Sequence, residues 1–204
     1  MIISDIVEFD KRRSRIFIDG EFAFVLYKGE LCNYGISKDR EISDEVYREI
    51  TEVLLPKRAT KRAMELLVKK DYTEKKLRDK LSEGLYPNSC IDAAIEYVKS
   101  YKYLDDERYA RDYIAYHLEI SGRNRITRDL MNRGVSKDII ESILSEFGDE
   151  ECRDAELEQI HKLLIKKHYD PDMEYKEKQK IISFLLRRGY SMDVIRSAMN
   201  VDFD

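Results

Sequence analysis

The chain has 204 residues, of which 43% are hydrophobic and 38% are charged, and its formal net charge is −4. A chain of this length and composition can bury a hydrophobic core, and its acidic balance argues against a protein that coats nucleic acid by charge alone. No stretch reaches the roughly 18 consecutive apolar residues of a membrane helix, and the first residues lack the apolar run of a signal peptide. We therefore expect a globular, cytoplasmic protein that does not bind membranes.

Residue types that carry catalysis or bind metals are few and scattered. The three cysteines, Cys32, Cys90 and Cys152, match neither a disulfide framework nor a zinc site in number or spacing. The histidines form no HExxH motif, and no glycine-rich loop that could cradle a phosphate occurs. The acids at Asp105-Asp106-Glu107 follow Leu104 and are better explained as the start of a helix than as a magnesium site. We predict a non-enzymatic protein without catalytic residues, metal or cofactor.

The first part of the chain carries strand signals. Short runs rich in Ile, Val and Phe at residues 2–9, 15–18 and 21–26 predict three β-strands. Asp19-Gly20, between the last two runs, tolerates the positive φ angles of a two-residue hairpin turn. The sequence therefore predicts a small antiparallel β-meander.

After the predicted meander, hydrophobic residues change to helical spacing. Val46, Ile50, Val53 and Leu54 would share one face of a helix, and Pro56 is expected to break that helical pattern because proline lacks a backbone N–H. Beyond Pro56, glycine and proline are rare and the sequence is typical of helices almost throughout. We predict a mostly α-helical protein.

An internal repeat organises this helical part. Residues 130–144 align with residues 185–199, with Leu, Arg, Gly, Ser, Asp, Ile and Ser in register. The shared glycines, Gly134 and Gly189, are predicted to end a helix in the left-handed conformation. A weaker third copy surrounds Gly84. Each copy therefore marks a corner between two helices.

The serine that follows each corner glycine, Ser136 or Ser191, is predicted to cap the next helix with its hydroxyl. The residue between the corner glycine and this serine, Val135 or Tyr190, is expected to pack back on the preceding helix. Each corner therefore joins two helices. One further helix precedes this pair, so that each unit contains three helices.

Three tandem three-helix units follow from this pattern. We predict a strand-rich segment at residues 1–56 and three-helix repeats at residues 57–102, 103–148 and 149–204. Tandem helical units that contact mainly their neighbours form elongated, curved arrays with a long binding surface. The predicted fold is mostly α, an elongated curved array of tandem three-helix repeats that is preceded by a small antiparallel β-meander plus helix.

Four motifs occur in one order along the helical part of the chain. The motifs are Asp71-Tyr72-Thr73 through Leu81, then Tyr103 through Ala110, then Gly122 through Gly134, and finally Phe184 through Ser191. Together they resemble the RecX family of RecA regulators, and the resemblance spans residues 57–200. Leu85 departs from the family pattern, because an aromatic residue is common there.

The resemblance implies a non-enzymatic bacterial protein whose helical repeats lie in the groove of the RecA–DNA filament. Such a protein would inhibit the RecA recombinase by limiting filament growth or stability, and it would act in homologous recombination, DNA repair and the SOS response. An alternative is a DNA-binding helical-repeat protein that occupies single- or double-stranded DNA directly, and a further one is a helical scaffold with an unrelated partner. We expect a monomer.

Charge is distributed in blocks that bear on the partner. Residues 57–81 have a net charge of +6, whereas residues 138–160 have a net charge of −8. Such blocks are usually solvated helix faces, but the surface that meets a phosphate-bearing filament should be basic. The candidates for binding the partner or nucleic acid are Lys57, Arg58, Lys61, Arg62, Lys75, Lys76, Arg123, Arg125 and Arg128.

Overall fold

The computed structural model describes residues 1–199. The chain divides into two compact units, of which the first is Met1–Leu104 and the second begins at Asp105. The first unit has one cluster of buried hydrophobic residues, and the second has two. The finer division into four segments stays a prediction, and residues 200–204 of its last segment lie outside the described residues.

The N-terminal meander is confirmed. Its strands are β1 (Ile3–Glu8), β2 (Arg13–Ile18) and β3 (Glu21–Tyr27), which pair antiparallel in the order β1-β2-β3. Asp19 and Gly20 have φ angles of 48° and 90°, the combination that a tight two-residue hairpin needs. Alternate side chains point to the core, and the buried face carries Ile3, Ile16, Ile18, Phe24 and Leu26.

Helices complete the first unit. They are α1 (Lys28–Asn33), α2 (Asp44–Arg48), a π-helical segment (Glu49–Leu54), α3 (Leu55–Leu67), α4 (Glu74–Ser82) and α5 (Asn88–Ser100). Helix α3 packs mainly against α5. Ala59, Ala63 and Ala94 are fully buried, and side chains of this size let two helix backbones approach closely.

The expectation that Pro56 breaks the helix is wrong. Helical backbone continues from Asp44 to Leu67, with Pro56 in the first turn of α3 and a π-helical segment directly before it. Proline cannot donate to the carbonyl four residues earlier, and a π-helical turn changes which carbonyls are paired at that point. The change in winding also alters which residues face inward, so that Ile50 is buried whereas Val53 is 44% exposed.

The second unit is helical throughout its described part. Its helices are α6 (Asp106–His117), α7 (Arg123–Arg133), α8 (Lys137–Glu146), α9 (Asp149–Lys166), α10 (Tyr175–Arg187) and α11 (Met192–Met199). Acidic residues occupy the first turns of α6, α8 and α9, where they interact favourably with the helix dipole. Within the described residues, the structure contains no helix that is both long enough and apolar enough to span a bilayer.

Both corner glycines of this unit end a helix in the left-handed conformation, as predicted, and Ser191 as the cap of α11 stays a prediction. Gly134 and Gly189 have φ angles of 95° and 92°. The residue after each glycine donates its backbone N–H to a carbonyl five positions earlier, at 3.1 Å from Val135 and 3.3 Å from Tyr190. Ser136 caps α8 by accepting a hydrogen bond from a backbone N–H in its first turn. These bonds satisfy carbonyls at one helix end and an amide at the start of the next.

The first corner differs by one residue. Its left-handed residue is Leu85, with a φ of 59°, and Gly84 does not have a positive φ. The ring of Tyr86 packs against Gly84 so closely that a β-carbon there would lie 2.9 Å from the ring. A β-carbon at position 84 would therefore require the Tyr86 ring to shift.

Candidate partner-binding surface

Helix α3 presents three of the candidate cations to solvent. Lys57, Lys61 and Arg62 are exposed, whereas the neighbouring Ala59 and Ala63 are buried, as the helical spacing predicts. Neither lysine takes part in an ion pair within the described part of the chain. Arg62 lies 3.6 Å from the Glu65 carboxylate, a separation that gives a weak surface pair.

Helix α4 adds two more exposed candidates. Thr73 caps this helix, and its hydroxyl accepts the N–H of Lys76 at 3.3 Å. Lys75 has no ion pair among residues 1–199, and Lys76 lies 3.9 Å from Asp79. We call the exposed set Lys57, Lys61, Arg62, Lys75 and Lys76 the basic surface of the first unit.

Arg58 is engaged inside the first unit, although it is adjacent to Lys57. Its side chain is 13% exposed and forms an ion pair with Glu30. The guanidinium also donates to the carbonyl of Val25 at 3.0 Å and lies 4.8 Å from the ring centroid of Tyr27. Arg58 therefore ties α3 to α1 and β3, and a role in partner binding stays a prediction.

In the second unit, α7 carries the remaining candidates. Arg128 is exposed and has no ion pair within the described residues. Arg125 is 47% exposed and lies 3.6 Å from Asp129. Both side chains can therefore reach a partner.

Arg123 is held at the start of α7. Its backbone N–H donates to the carboxylate of Glu156 at 2.7 Å, and its guanidinium contacts Asp149 at 2.9 Å. Glu156 is almost fully buried on α9, and this burial raises the pKa of its carboxyl group. Arg123 thus joins α7 to α9, and its role toward a partner stays a prediction.

The same end of α7 meets the corner after α10. The N–H groups of Gly122 and Asn124 donate to the carbonyls of Arg188 and Gly189 at 3.1 and 3.2 Å. Free N–H groups at the start of α7 thereby satisfy free carbonyls at the end of α10. The positive end of one helix dipole faces the negative end of the other, which is favourable. A β-carbon on Gly122 would lie 2.3 Å from the carbonyl carbon of Gly189, so the contact leaves no space for a side chain.

This junction brings together two of the four sequence motifs, Gly122 through Gly134 and Phe184 through Ser191. Tyr190 completes it by donating its hydroxyl to Gln159 of α9 at 2.9 Å. Sequence analysis did not find this junction, because its partners are far apart along the chain. The available signal was the glycine in each motif, which marks a close backbone approach.

Groups suited to metal binding or redox chemistry are sparse in the described part of the chain. Among residues 1–199, no three His, Cys, Asp or Glu side chains are grouped so that they could hold a metal ion. Cys90 and Cys152 are buried, and burial raises the pKa of both thiols. A protonated thiol is a poor nucleophile, so these two cysteines act as core residues.

Comparison with known proteins decides the family. Family models for the second and third three-helix domains of RecX match residues 105–144 and 154–199. The regulatory protein RecX of Clostridium perfringens (strain 13 / Type A) is 36% identical over 200 residues, which cover 94% of this chain and 92% of that protein. The chain belongs to the RecX family. A RecX protein of Caldanaerobacter subterraneus subsp. tengcongensis is 32% identical over 203 residues, with 98% of this chain and all of that protein covered.

Solved RecX structures share the fold. A crystal structure of a regulatory protein RecX matches 98% of this chain and 99% of its own chain, with a TM-score of 0.65 at 22% identity. A RecX structure from Lactobacillus salivarius matches 72% of this chain and 95% of its own, with a TM-score of 0.61 at 22% identity. The predicted mostly helical fold with a small N-terminal sheet is therefore confirmed.

Proposed function

We propose that this RecX family member is a non-catalytic regulator of the RecA recombinase. It binds the RecA–DNA filament in its groove and limits the growth or stability of the filament. The protein acts as a cytoplasmic monomer and inhibits by occupying the filament.

The observation that carries this proposal is the basic surface of the first unit. Lys57, Lys61 and Lys75 are exposed and have no ion pair among residues 1–199, in a chain whose net charge is −4. Exposed cations that have no ion pair within the chain can interact with a binding partner whose surface potential is negative. A filament that carries DNA phosphates has that potential, and release of counterions from the phosphates favours binding.

The weak ion pairs on the same surface are compatible with this role. Arg62 and Lys76 face their acidic neighbours at 3.6 and 3.9 Å. Exposed pairs of this kind contribute roughly 0 to 1 kcal/mol to stability, so a phosphate can replace the carboxylate at little cost. Arg125 and Arg128 on α7 are accessible in the second unit and extend the set of candidate contacts.

A second candidate function is direct occupation of single- or double-stranded DNA. It uses the same exposed cations, and it differs because naked DNA would suffice as the partner. Measuring binding to filaments and to the same DNA without RecA therefore distinguishes the two functions.

The surface is tested by reversing three lysines in one variant, Lys57→Glu, Lys61→Glu and Lys75→Glu. We expect co-sedimentation with RecA filaments on single-stranded DNA to require at least about tenfold more protein, because three phosphate-facing charges are reversed. Folding should be retained, since these side chains make no ion pairs within the described residues. Circular dichroism of the same preparation measures this.

A matched control reverses three exposed lysines of the second unit, Lys166, Lys176 and Lys180, to Glu. This control has the same change in net charge, and we expect it to bind as the parent does. If both variants lose binding equally, overall charge is responsible and not the basic surface. If neither loses binding, the contact surface lies elsewhere on the chain.

A further inference from the structure

The first unit contains a cleft of about 640 Å³ beside the turn between β1 and β2. The end of β3, helix α3, the segment before α4, α4 itself and the corner after α4 form the rest of its wall. Three aromatic rings and four cations line it, namely Tyr27, Tyr72, Tyr86, Arg12, Arg13, Arg62 and Lys80. Its volume lies within the range of roughly 300 to 1,000 Å³ that is typical of sites for small ligands.

One carboxylate of the cleft is already neutralised by its own turn. Asp10 accepts the backbone N–H groups of Arg12 and Arg13 at 2.9 Å, and the Arg13 guanidinium contacts it at 2.7 Å. These hydrogen bonds hold the pKa of Asp10 below its usual range, so the carboxylate remains charged and paired. The side chain of Arg12 is exposed and has no ion pair in the described part of the chain.

The other two acids of the cleft also face cations. Lys80 contacts Glu83 at 2.7 Å, and Arg62 lies 3.6 Å from Glu65. With all three acids opposite a cation, the charge of Arg12 is left over and the cleft has a net charge of +1. A ligand of negative charge therefore fits better than a cationic one.

The rings give the cleft a second kind of contact. The ring of Tyr86 packs against Gly84, and burial raises the pKa of the Tyr86 phenol. Tyr27 is 40% exposed, and the Arg58 guanidinium lies 4.8 Å from its ring centroid. Tyr72 has the Lys70 ammonium at 4.8 Å from its ring. The tyrosines are thus aromatic surfaces that are held in place by their neighbours.

We infer that this cleft binds a nucleotide unit of a single-stranded nucleic acid, with its base stacked on Tyr27 and its phosphate beside Arg12. Aromatic rings next to cations are the combination that proteins use for single strands, since every base has a π-face and every unit has a phosphate. A duplex keeps its bases paired and stacked inside, so it cannot offer a base to the rings. An acidic peptide could use the cations but would leave the rings without a partner.

This inference rests on the second candidate function, direct binding of DNA, and names the site and the kind of strand; it does not rest on binding to the RecA filament. Lys57, Lys61 and Lys75, which test the filament proposal, do not line the cleft. Failure of one proposal therefore leaves the other standing, and separate variants distinguish them.

The test is fluorescence anisotropy of a labelled short oligothymidylate, titrated with the full chain in the absence of RecA. Tyr27→Leu should weaken binding at least about fivefold, because stacking of one base on an aromatic ring is lost. The matched control is Phe22→Leu on the same strand, an exposed ring outside the cleft, and it should bind as the parent does.

A second variant keeps the test valid if Tyr27→Leu does not fold. Arg12→Glu changes an exposed turn residue, and Lys11→Glu changes its exposed neighbour, which does not line the cleft. Arg12→Glu should weaken binding and reduce the slope of log affinity against log salt concentration by about 0.7, the value for one phosphate contact on a single strand. Lys11→Glu should leave the slope close to that of the parent.

Three results would overturn the inference. They are no binding of oligothymidylate by the parent at low salt, equal binding by Tyr27→Leu and Phe22→Leu, and displacement of the labelled strand by polyglutamate as effectively as by unlabelled strand. Displacement by polyglutamate would show that the cleft recognises negative charge alone. Competition by unlabelled single strand, with much weaker competition by duplex of the same length, would support the inference that the cleft binds single strands.

Discussion

Glu156 is a buried carboxylate whose surroundings pull its pKa in opposite directions. Only 2% of the residue is exposed, and loss of hydration is the largest influence, which raises the pKa. The N–H and the guanidinium of Arg123 lower the pKa, whereas the nearby Asp193 raises it. The net effect is a raised pKa, so ionised Glu156 costs the second unit stability that Arg123 only partly restores.

This balance predicts how stability depends on pH. The folded state holds the Glu156 proton at pH values where the unfolded state has lost it, so the stabilisation by this group is present below the unfolded pKa of about 4.3 and is lost as pH rises through the folded pKa. Glu156→Gln keeps an acceptor for the Arg123 N–H and removes the charge. We expect the difference in melting temperature, variant minus parent, to increase from acidic to neutral pH.

Thermal melts followed by circular dichroism across this pH range measure the difference. Titrating groups that do not interact with Glu156 are present in both proteins and cancel in the comparison. An equal pH dependence of the two melting temperatures would show that Glu156 has an ordinary pKa.

At the scale of elements, the helix corners determine how neighbouring helices meet. Gly134 and Gly189 have nearly the same positive φ, and Gly189 also contacts another helix, since a β-carbon there would lie 2.4 Å from the backbone nitrogen of Arg125. Gly189 thus serves both as the end of α10 and as the docking point for α7.

Alanine substitution separates these two roles. Gly134→Ala should destabilise by roughly 1 to 2 kcal/mol, the cost of a side chain in the left-handed conformation. Gly189→Ala should cost at least about 1 kcal/mol more, because the new methyl group overlaps the backbone of α7. Urea unfolding of both variants measures the losses, and a loss at Gly189 no larger than the roughly 1 to 2 kcal/mol of a left-handed side chain would contradict the described contact between α7 and the α10 corner.

Much of the element-level structure follows from short sequence signals. Asp19-Gly20 predicts the hairpin and Gly134 predicts a helix end, because both depend on local backbone preferences. The helix through Pro56 and the left-handed Leu85 could not be predicted in this way. The first depends on π-helical winding ahead of the proline, and the second on Tyr86 packing against Gly84.

The candidate surface shows the same limit. Helical spacing places Lys57 and Lys61 on the solvent side of α3, and the structure agrees. Helical spacing cannot reveal that Arg58 pairs with Glu30, 28 residues earlier. Nor can it reveal that the N–H of Arg123 donates to the carboxylate of Glu156, 33 residues later. Such pairs are set by tertiary packing, so sequence alone cannot separate a structural arginine from one that is free to bind a partner.

At the scale of the whole molecule, each unit contributes a different charge. The first unit carries the basic surface on α3 and α4, and the second contains the acidic stretch of residues 138–160, on α8 and α9. Each unit also buries hydrophobic residues of its own, so charge reversal on an exposed helix face can be tested without disturbing a core. The proposed occupancy of a filament needs this combination of a stable scaffold and exposed charge.

The central claim, regulation of RecA, is tested most directly by DNA-dependent ATP hydrolysis of RecA with and without this protein. The parent is predicted to lower the steady-state rate. The variant with Lys57, Lys61 and Lys75 reversed should need at least about tenfold more protein for the same inhibition. The control with Lys166, Lys176 and Lys180 reversed should inhibit as the parent does. A rate that the parent leaves unchanged, even in excess over RecA, would contradict the proposed function.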